Sequence, residues 1–204
     1  MSLPHVLLGV LEARPMSGYE LTRLFSASTR WVWAAPQSQI YPALKTMESN
    51  GLITGAQQQT GGRTRTVYSI TPEGLAGLRQ WIGTVHPSPP SRDTLDVQAL
   101  YFDLVEAEAA KRVLTEFITE QEAAAEHAEA HRARLLAKDT ELLKERLSHR
   151  PPGEHDRMAA LKAHVFAGHA AVARTRAEWA REGLRLLDEQ ATGVRPGRGR
   201  GPAR

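Results

Sequence analysis

The chain has 204 residues, 41% hydrophobic and 24% charged, with no cysteine and a net charge of +3. This is the balance of a globular protein of one or two domains, and it excludes disulfides, thiolate catalysis and cysteine-ligated zinc. No run of about 18 apolar residues is present to span a membrane. The N-terminal MSLPHVLLGVLEARP has no basic residue ahead of its apolar part and no small-residue cleavage pattern, so no signal peptide is expected and a cytoplasmic location is. Residues 1–92 hold eight Lys/Arg against four Glu, residues 93–194 fourteen against nineteen Asp/Glu, and residues 195–204 four Arg. A basic front, an acidic middle and a basic tail mean that only parts of the chain suit a polyanion.

Leu3 to Glu12 is apolar almost all round and predicts a helix buried on most sides. Arg14-Pro15-Met16 breaks it. Ser17-Gly18-Tyr19-Glu20 has the S-x-x-E form of a capping box: the Ser17 hydroxyl accepts from the Glu20 amide, and the Glu20 carboxylate reaches back to the Ser17 amide. Leu21, Leu24 and Phe25 give this second helix its buried stripe. Arg30 to Pro36 is a connector. In the third helix Ile40, Leu44 and Met47 follow i, i+4, i+7. Proline is tolerated in a first turn, where amides lack helical partners, so Pro42 predicts a start at about Ser38. Asn50-Gly51 supplies a left-handed cap at its end.

From about Leu52 the period changes to two. One strand covers about Leu52 to Gln58, Gly61-Gly62 turns the chain, and a second strand covers about Arg63 to Ile70. Thr66, Tyr68 and Ile70 share one face, and Arg63, Arg65 and Val67 the other. Thr71-Pro72 opens another helix, which runs to about Ile82. His86 to Arg92 is Pro/Ser-rich and reads as a linker. Residues 94–149 are Ala-, Glu- and Leu-rich without proline and predict long amphipathic helix, broken near Val105–Glu108. Pro151-Pro152-Gly153 ends it. A last helix, about Asp156 to Glu189, carries Met158, Leu161, Val165, Val172, Trp179 and Leu186. The Gly-, Pro- and Arg-rich tail is expected to be disordered, its arginines either adding sequence-independent affinity for a polyanion or having no role.

The order helix, helix, helix, two-stranded hairpin, helix is that of a winged helix-turn-helix. On that reading the third helix is short because it enters the DNA major groove, and it ends sharply because the wing follows at once. "SGYEL" at 17–21, "QIYPALKTMESNGLI" at 39–53 and "RTRTVYSITPEG" at 63–74 also resemble the PadR family of transcriptional regulators. The resemblance is strong over residues 3–82, weaker over 94–190, and does not reach the tail. It implies a homodimer that binds operator DNA, usually as a repressor, joined through its C-terminal helices and released by a small-molecule effector.

The expected fold is therefore mainly α: a winged helix at 1–84, a linker at 85–92, an all-helical dimerisation domain at 93–190 and a basic tail at 191–204. Ser38, Gln39, Tyr41, Pro42, Lys45 and Thr46 lie off the apolar stripe of the third helix and are its expected DNA side. Lys45 suits a phosphate, and Gln39 can make two hydrogen bonds to adenine. Arg63 and Arg65 on the wing suit phosphate or minor-groove contact, and Tyr19 stands near a helix N-terminus that favours anions. Trp31, Trp33 and Trp179 are candidate effector-stacking residues, with plain core or dimer packing as the alternative. His127 and His131 stand at i, i+4, but Glu129 does not hold the place that the H-E-x-x-H motif requires, and solvated helix surface explains the pair. No glycine-rich phosphate loop follows a strand, and no nucleophile–base signature is visible. No catalytic residue, metal or cofactor is assigned, and the chain is not expected to be an enzyme. The alternative reading is a helical small-molecule- or partner-binding protein whose winged helix serves protein contacts.

Overall fold

The computed structural model describes residues 3–27, 37–60, 63–87 and 93–193. The Gly61-Gly62 turn, Trp31, Trp33 and most of the basic tail lie outside them. The elements are α1 (Leu3–Leu11), β1 (Met16–Ser17), α2 (Gly18–Ala27), α3 (Gln37–Ser49), β2 (Ile53–Thr60), β3 (Arg63–Ile70), α4 (Pro72–Ile82), α5 (Thr94–Ala99), α6 (Ala107–Leu136), α7 (Glu141–Ser148) and α8 (His155–Gly193), with short 3-10 turns at Phe102–Leu104 and Pro152–Glu154. The sheet is antiparallel in the order β1-β3-β2. Among the described residues no helix is long and apolar enough to cross a membrane.

The chain forms two compact units, Met1–Ser88 with Thr140–His155, and Pro89–Asp139 with Asp156–Arg204. In the first, Leu7, Leu8 and Leu11 of α1, Leu21 and Phe25 of α2, Ile40, Leu44 and Met47 of α3, Ile53 of β2 and Leu78 of α4 make one core. Tyr68 and Ile70 of β3 pack against it, as their shared face predicts. Met16 pairs with Tyr68 and Ser17 with Val67, so the short β1, which the sequence pattern does not reveal, covers the edge of β3.

The end of α3 forms a Schellman motif. Gly51 has φ of +72°, its amide donates to the Glu48 carbonyl at 3.0 Å, and the Leu52 amide reaches back to Met47 at 2.9 Å. Leu52 packs on the core below. α3 begins at Gln37, within a residue of the expected start, but Pro42 stands beyond the first turn, inside the helix. It has no amide to give the Ser38 carbonyl, and the helix tolerates this with the carbonyl on an exposed face. At α4 the Thr71 hydroxyl accepts from the Gly74 amide at 3.0 Å and donates to the Gly51 carbonyl at 2.7 Å. This ties the start of α4 to the end of α3. Gly74 fits only as glycine, because a Cβ there would stand 2.1 Å from the Leu52 carbonyl oxygen.

Two further features depart from the sequence reading. The expected long helix breaks at Val105–Glu108 as predicted, but also at 137–140, where Lys138 takes φ of +57°. The following α7, assigned by sequence to the dimerisation region, belongs to the first unit. Its Leu143 and Leu147 are buried, Leu142 packs on the winged-helix core, and Arg146 lies 3.2 Å from Glu12.

In the second unit α6 and α8 run antiparallel. Lys111 pairs with Asp188 at 2.6 Å, Glu122 with Arg181, and Glu129 with Arg174 at 3.1 Å. Leu95, Leu114 and Ala180 centre a small core with Phe117 and Leu184. Apart from Phe166, the buried face of α8 is small: Ala159, Ala163, Ala170, Ala173, Ala177 and Ala180. Five of its larger apolar residues, Leu161, Val165, Val172, Trp179 and Leu186, stand 44–61% exposed.

Candidate nucleic-acid interface

Helix α3 presents two faces of opposite character. Ile40 and Leu44 are fully buried and Met47 nearly so, whereas Ser38, Gln39, Tyr41, Pro42, Lys45 and Thr46 are all exposed. All six helix residues expected on the DNA side thus lie on one accessible surface. The exposed face carries one cation, hydrogen-bonding groups and little bulk, which suits base edges in a groove. The Thr46 hydroxyl is turned back onto the Pro42 carbonyl at 3.0 Å. That bond leaves its methyl and its acceptor lone pairs for any partner.

Helix α2 crosses close to α3. A Cβ on Gly18 would sit 2.6 Å from Tyr41 Cε1, so the tyrosine ring lies directly on the α2 backbone. Tyr41 is still 43% exposed, and Tyr19, next along α2, is 70% exposed. The two phenols flank the point where α2 begins. At the other end of α3, Glu48 Oε1 accepts from the Gly55 amide at 2.9 Å and fixes the helix to the base of the wing.

The capping box forms as its sequence predicts. Glu20 Oε2 accepts from the Ser17 amide at 2.8 Å and the Ser17 hydroxyl at 2.7 Å, and the Glu20 amide donates to Ser17 Oγ at 3.3 Å. The same carboxylate has a second role that the motif alone does not disclose. Arg14 Nη1 lies 3.3 Å from Glu20 Oε1, and Arg65 Nη1 of the wing 3.9 Å from Oε2. Burial works to raise the Glu20 carboxyl, but the Ser17 and Arg14 hydrogen bonds and the Arg14 charge outweigh it and hold the group at about 2. Glu20 is therefore a fixed negative charge between two arginines. It joins the start of α2 to strand β3.

Arg65 projects from the wing with a side chain 45% exposed. Arg63 stands on the same strand, opposite Thr60, with its side chain outside the described residues. Of the effector candidates, Trp179 is 44% exposed on α8, and Trp31 and Trp33 lie outside the described residues. His131 packs its ring 4.2 Å from that of Phe166. Among the described residues no group of three or more His, Asp or Glu is placed to hold a metal ion.

A three-helix core, an exposed third helix and an antiparallel wing define a winged helix-turn-helix domain of the DNA-binding class. Residues 7–80 match the Transcriptional regulator PadR-like family. A probable transcriptional regulator of Mycobacterium tuberculosis is 38% identical over 94 residues, 45% of this chain and 50% of that protein. The match thus spans only half the length of that relative. The negative transcriptional regulator PadR of Bacillus subtilis is 27% identical over 123 residues, 59% of this chain and 68% of that one. Its crystal structure in complex with operator DNA superposes with a TM-score of 0.69 at 22% identity, covering 92% of this chain and 100% of that one. The same protein has also been solved in complex with p-coumaric acid, at 0.66 and 23%, covering 91% of this chain and 98% of that one. The Vibrio cholerae virulence activator AphA gives 0.64 at 28%, covering 93% of this chain and 99% of that one. The fold thus extends over both units.

Proposed function

We propose that the protein is a homodimeric, sequence-specific DNA-binding transcriptional regulator, a repressor released by a small-molecule effector, acting in the cytoplasm and without enzymatic activity. The observation that carries the reading is α3, which buries Ile40, Leu44 and Met47 and exposes Ser38, Gln39, Tyr41, Pro42, Lys45 and Thr46. Gln39 and Ser38 meet base edges, while Lys45, Arg63, Arg65 and Tyr19 meet the phosphates on either side.

A single winged helix reads few base pairs, and two on a two-fold axis read half-sites about one DNA turn (~34 Å) apart. The exposed residues Leu161, Val165, Val172, Trp179 and Leu186 follow one another at steps of four and seven along α8. That spacing forms a continuous stripe of the kind a second copy covers. The complexes of the Bacillus subtilis relative with operator DNA and with p-coumaric acid support both the DNA partner and a small effector. An effector acts by changing the spacing of the two reading heads.

A salt titration of binding to the DNA upstream of the protein's own gene tests the reading. Lys45→Ala and Arg65→Ala are expected to keep the fold and weaken binding, each flattening the plot of log K against log salt by about 0.9. Unchanged affinity and slope in the double variant would remove α3 and the wing from the DNA interface.

A further inference from the structure

The exposed face of α3 is drier than its residue types imply. Ser38, Pro42 and Thr46 stand four residues apart, all exposed, and so form one row along it. Pro42 offers only ring carbons there. Thr46 donates its hydroxyl proton to the Pro42 carbonyl at 3.0 Å, and Ser49 donates its own to the Thr46 carbonyl at 2.9 Å. Both hydroxyls are thus turned back onto the helix, and Thr46 keeps its γ-methyl for a partner. We propose that the Pro42 ring and the Thr46 methyl form one apolar spot that takes the C5-methyl of a thymine in the major groove, which makes Thr46 a specificity-determining residue. This deepens the DNA-binding reading above and rests on it.

The chemistry of the base edges selects the partner. The thymine methyl is the one apolar group in the major-groove pattern of the base pairs, and the other groups there are hydrogen-bond donors and acceptors. Ring carbons and a methyl laid over a donor or acceptor leave it without a partner, and a polar group covered in that way carries its full desolvation cost. The spot therefore favours thymine and discriminates against the other three bases at the same place. Gln39 and Lys45, exposed on the same helix, supply the hydrogen bonds and the charge that the spot lacks. Glu48, the carboxylate of α3, is held on the Gly55 amide at 2.9 Å. The competing contact is the Thr46 oxygen, which has given its proton but can still accept from an adenine or cytosine amino group. Its bond to the Pro42 carbonyl holds that oxygen against the helix backbone and leaves the methyl free of it.

The test uses the full chain and removes one methyl at a time from each side. A random-sequence duplex library is selected on the wild type, and each dT of the recovered site is then replaced by dU, which lacks only the C5-methyl. At one or more positions dU should weaken wild-type binding about fourfold, the effect of leaving one methyl unburied. Thr46→Ser removes the methyl of the protein instead. It should bind the dT duplex about fourfold more weakly and should no longer distinguish dT from dU at one of those positions. Thr46→Val keeps a methyl and loses the hydroxyl, and it should still distinguish them. Circular dichroism checks that both variants keep the helix, as an exposed position allows. A recovered site in which no dU weakens binding would overturn the proposal. A dT preference that Thr46→Ser leaves intact would remove Thr46 from the contact, and one that Thr46→Val abolishes would show that the hydroxyl does the reading. Either result overturns the spot while leaving the DNA-binding reading in place. A chain that enriches no sequence from the library would overturn that reading itself.

Discussion

Replacing Glu20 by glutamine isolates the charge of the carboxylate from its shape, because glutamine serves a capping box as well as glutamate does. A carboxyl held at about 2 rather than 4.5 is worth at most about 3 kcal/mol of folding stability, at 1.36 kcal/mol per pH unit. The side chain keeps 29% of its exposure, so water screens part of this and about 1–2 kcal/mol is expected. The folded carboxyl titrates below the unfolded one. The stabilisation is therefore fully present above pH about 4.5 and is lost as pH falls towards about 2. Urea unfolding of wild type and Glu20→Gln across this range should give curves separated near neutrality that converge in acid. A separation that stays constant with pH, or none at pH 7, would refute the account of Glu20 as an ionised hub. The same variant leaves Arg14 and Arg65 without their shared anion, so its affinity for duplex DNA at low salt should rise.

Leu44→Asp buries a charge at a fully covered position of α3, and loss of helix by circular dichroism is expected rather than weaker DNA binding alone. Gly74→Ala drives a methyl to within 2.1 Å of the Leu52 carbonyl, and thermal unfolding should show a loss of about 1–3 kcal/mol. Val172→Asp places a charge on the exposed stripe of α8, where Val172 is 61% accessible, so sedimentation should show a folded monomer in place of a dimer.

The winged helix was legible because its elements carry local signals. Ser17 and Glu20 announce α2, Asn50-Gly51 stops α3, and Thr71-Pro72 starts α4, each through a backbone requirement that only a few residue types meet. The exposed face of α3 followed from its stripe alone. The role of Glu20 did not. It depends on Arg14 and Arg65, brought close by a sheet pairing, and no periodicity encodes that. The α8 rhythm was legible but not its placement. Five larger apolar residues face outward, and alanines, less conspicuous in a hydropathy pattern, make most of the buried face. The break at Lys138 had no signal, since lysine in the left-handed region is unusual and neither glycine nor proline marks the site.

That silent break detaches α7 and gives it to the winged helix, and the attachment can be tested through Glu12 and Arg146. The two lie 3.2 Å apart with only 16% and 17% of their side chains exposed. Burial lowers the Arg146 pKa, the Glu12 charge raises it, and Arg150 lowers it again. Arg150 also pairs with Glu12, and Arg146 donates to the Gly9 carbonyl, so α7 is pinned to α1 by charge as well as by Leu143 and Leu147. Glu12→Leu leaves two arginines facing each other with one of them buried, which should cost about 3 kcal/mol. Arg146→Met leaves Glu12 with Arg150 and should cost less, about 1–2 kcal/mol. The double variant exchanges a buried ion pair for apolar contact and should recover most of the loss, giving a coupling of at least about 1 kcal/mol. Thermal unfolding of the four full-length proteins measures the cycle. Simple additivity would mean that the pair does not hold α7. Coupling of the expected size would show that the winged-helix unit is completed by a helix from the C-terminal half of the chain, and that residues 1–90 alone are a truncated domain.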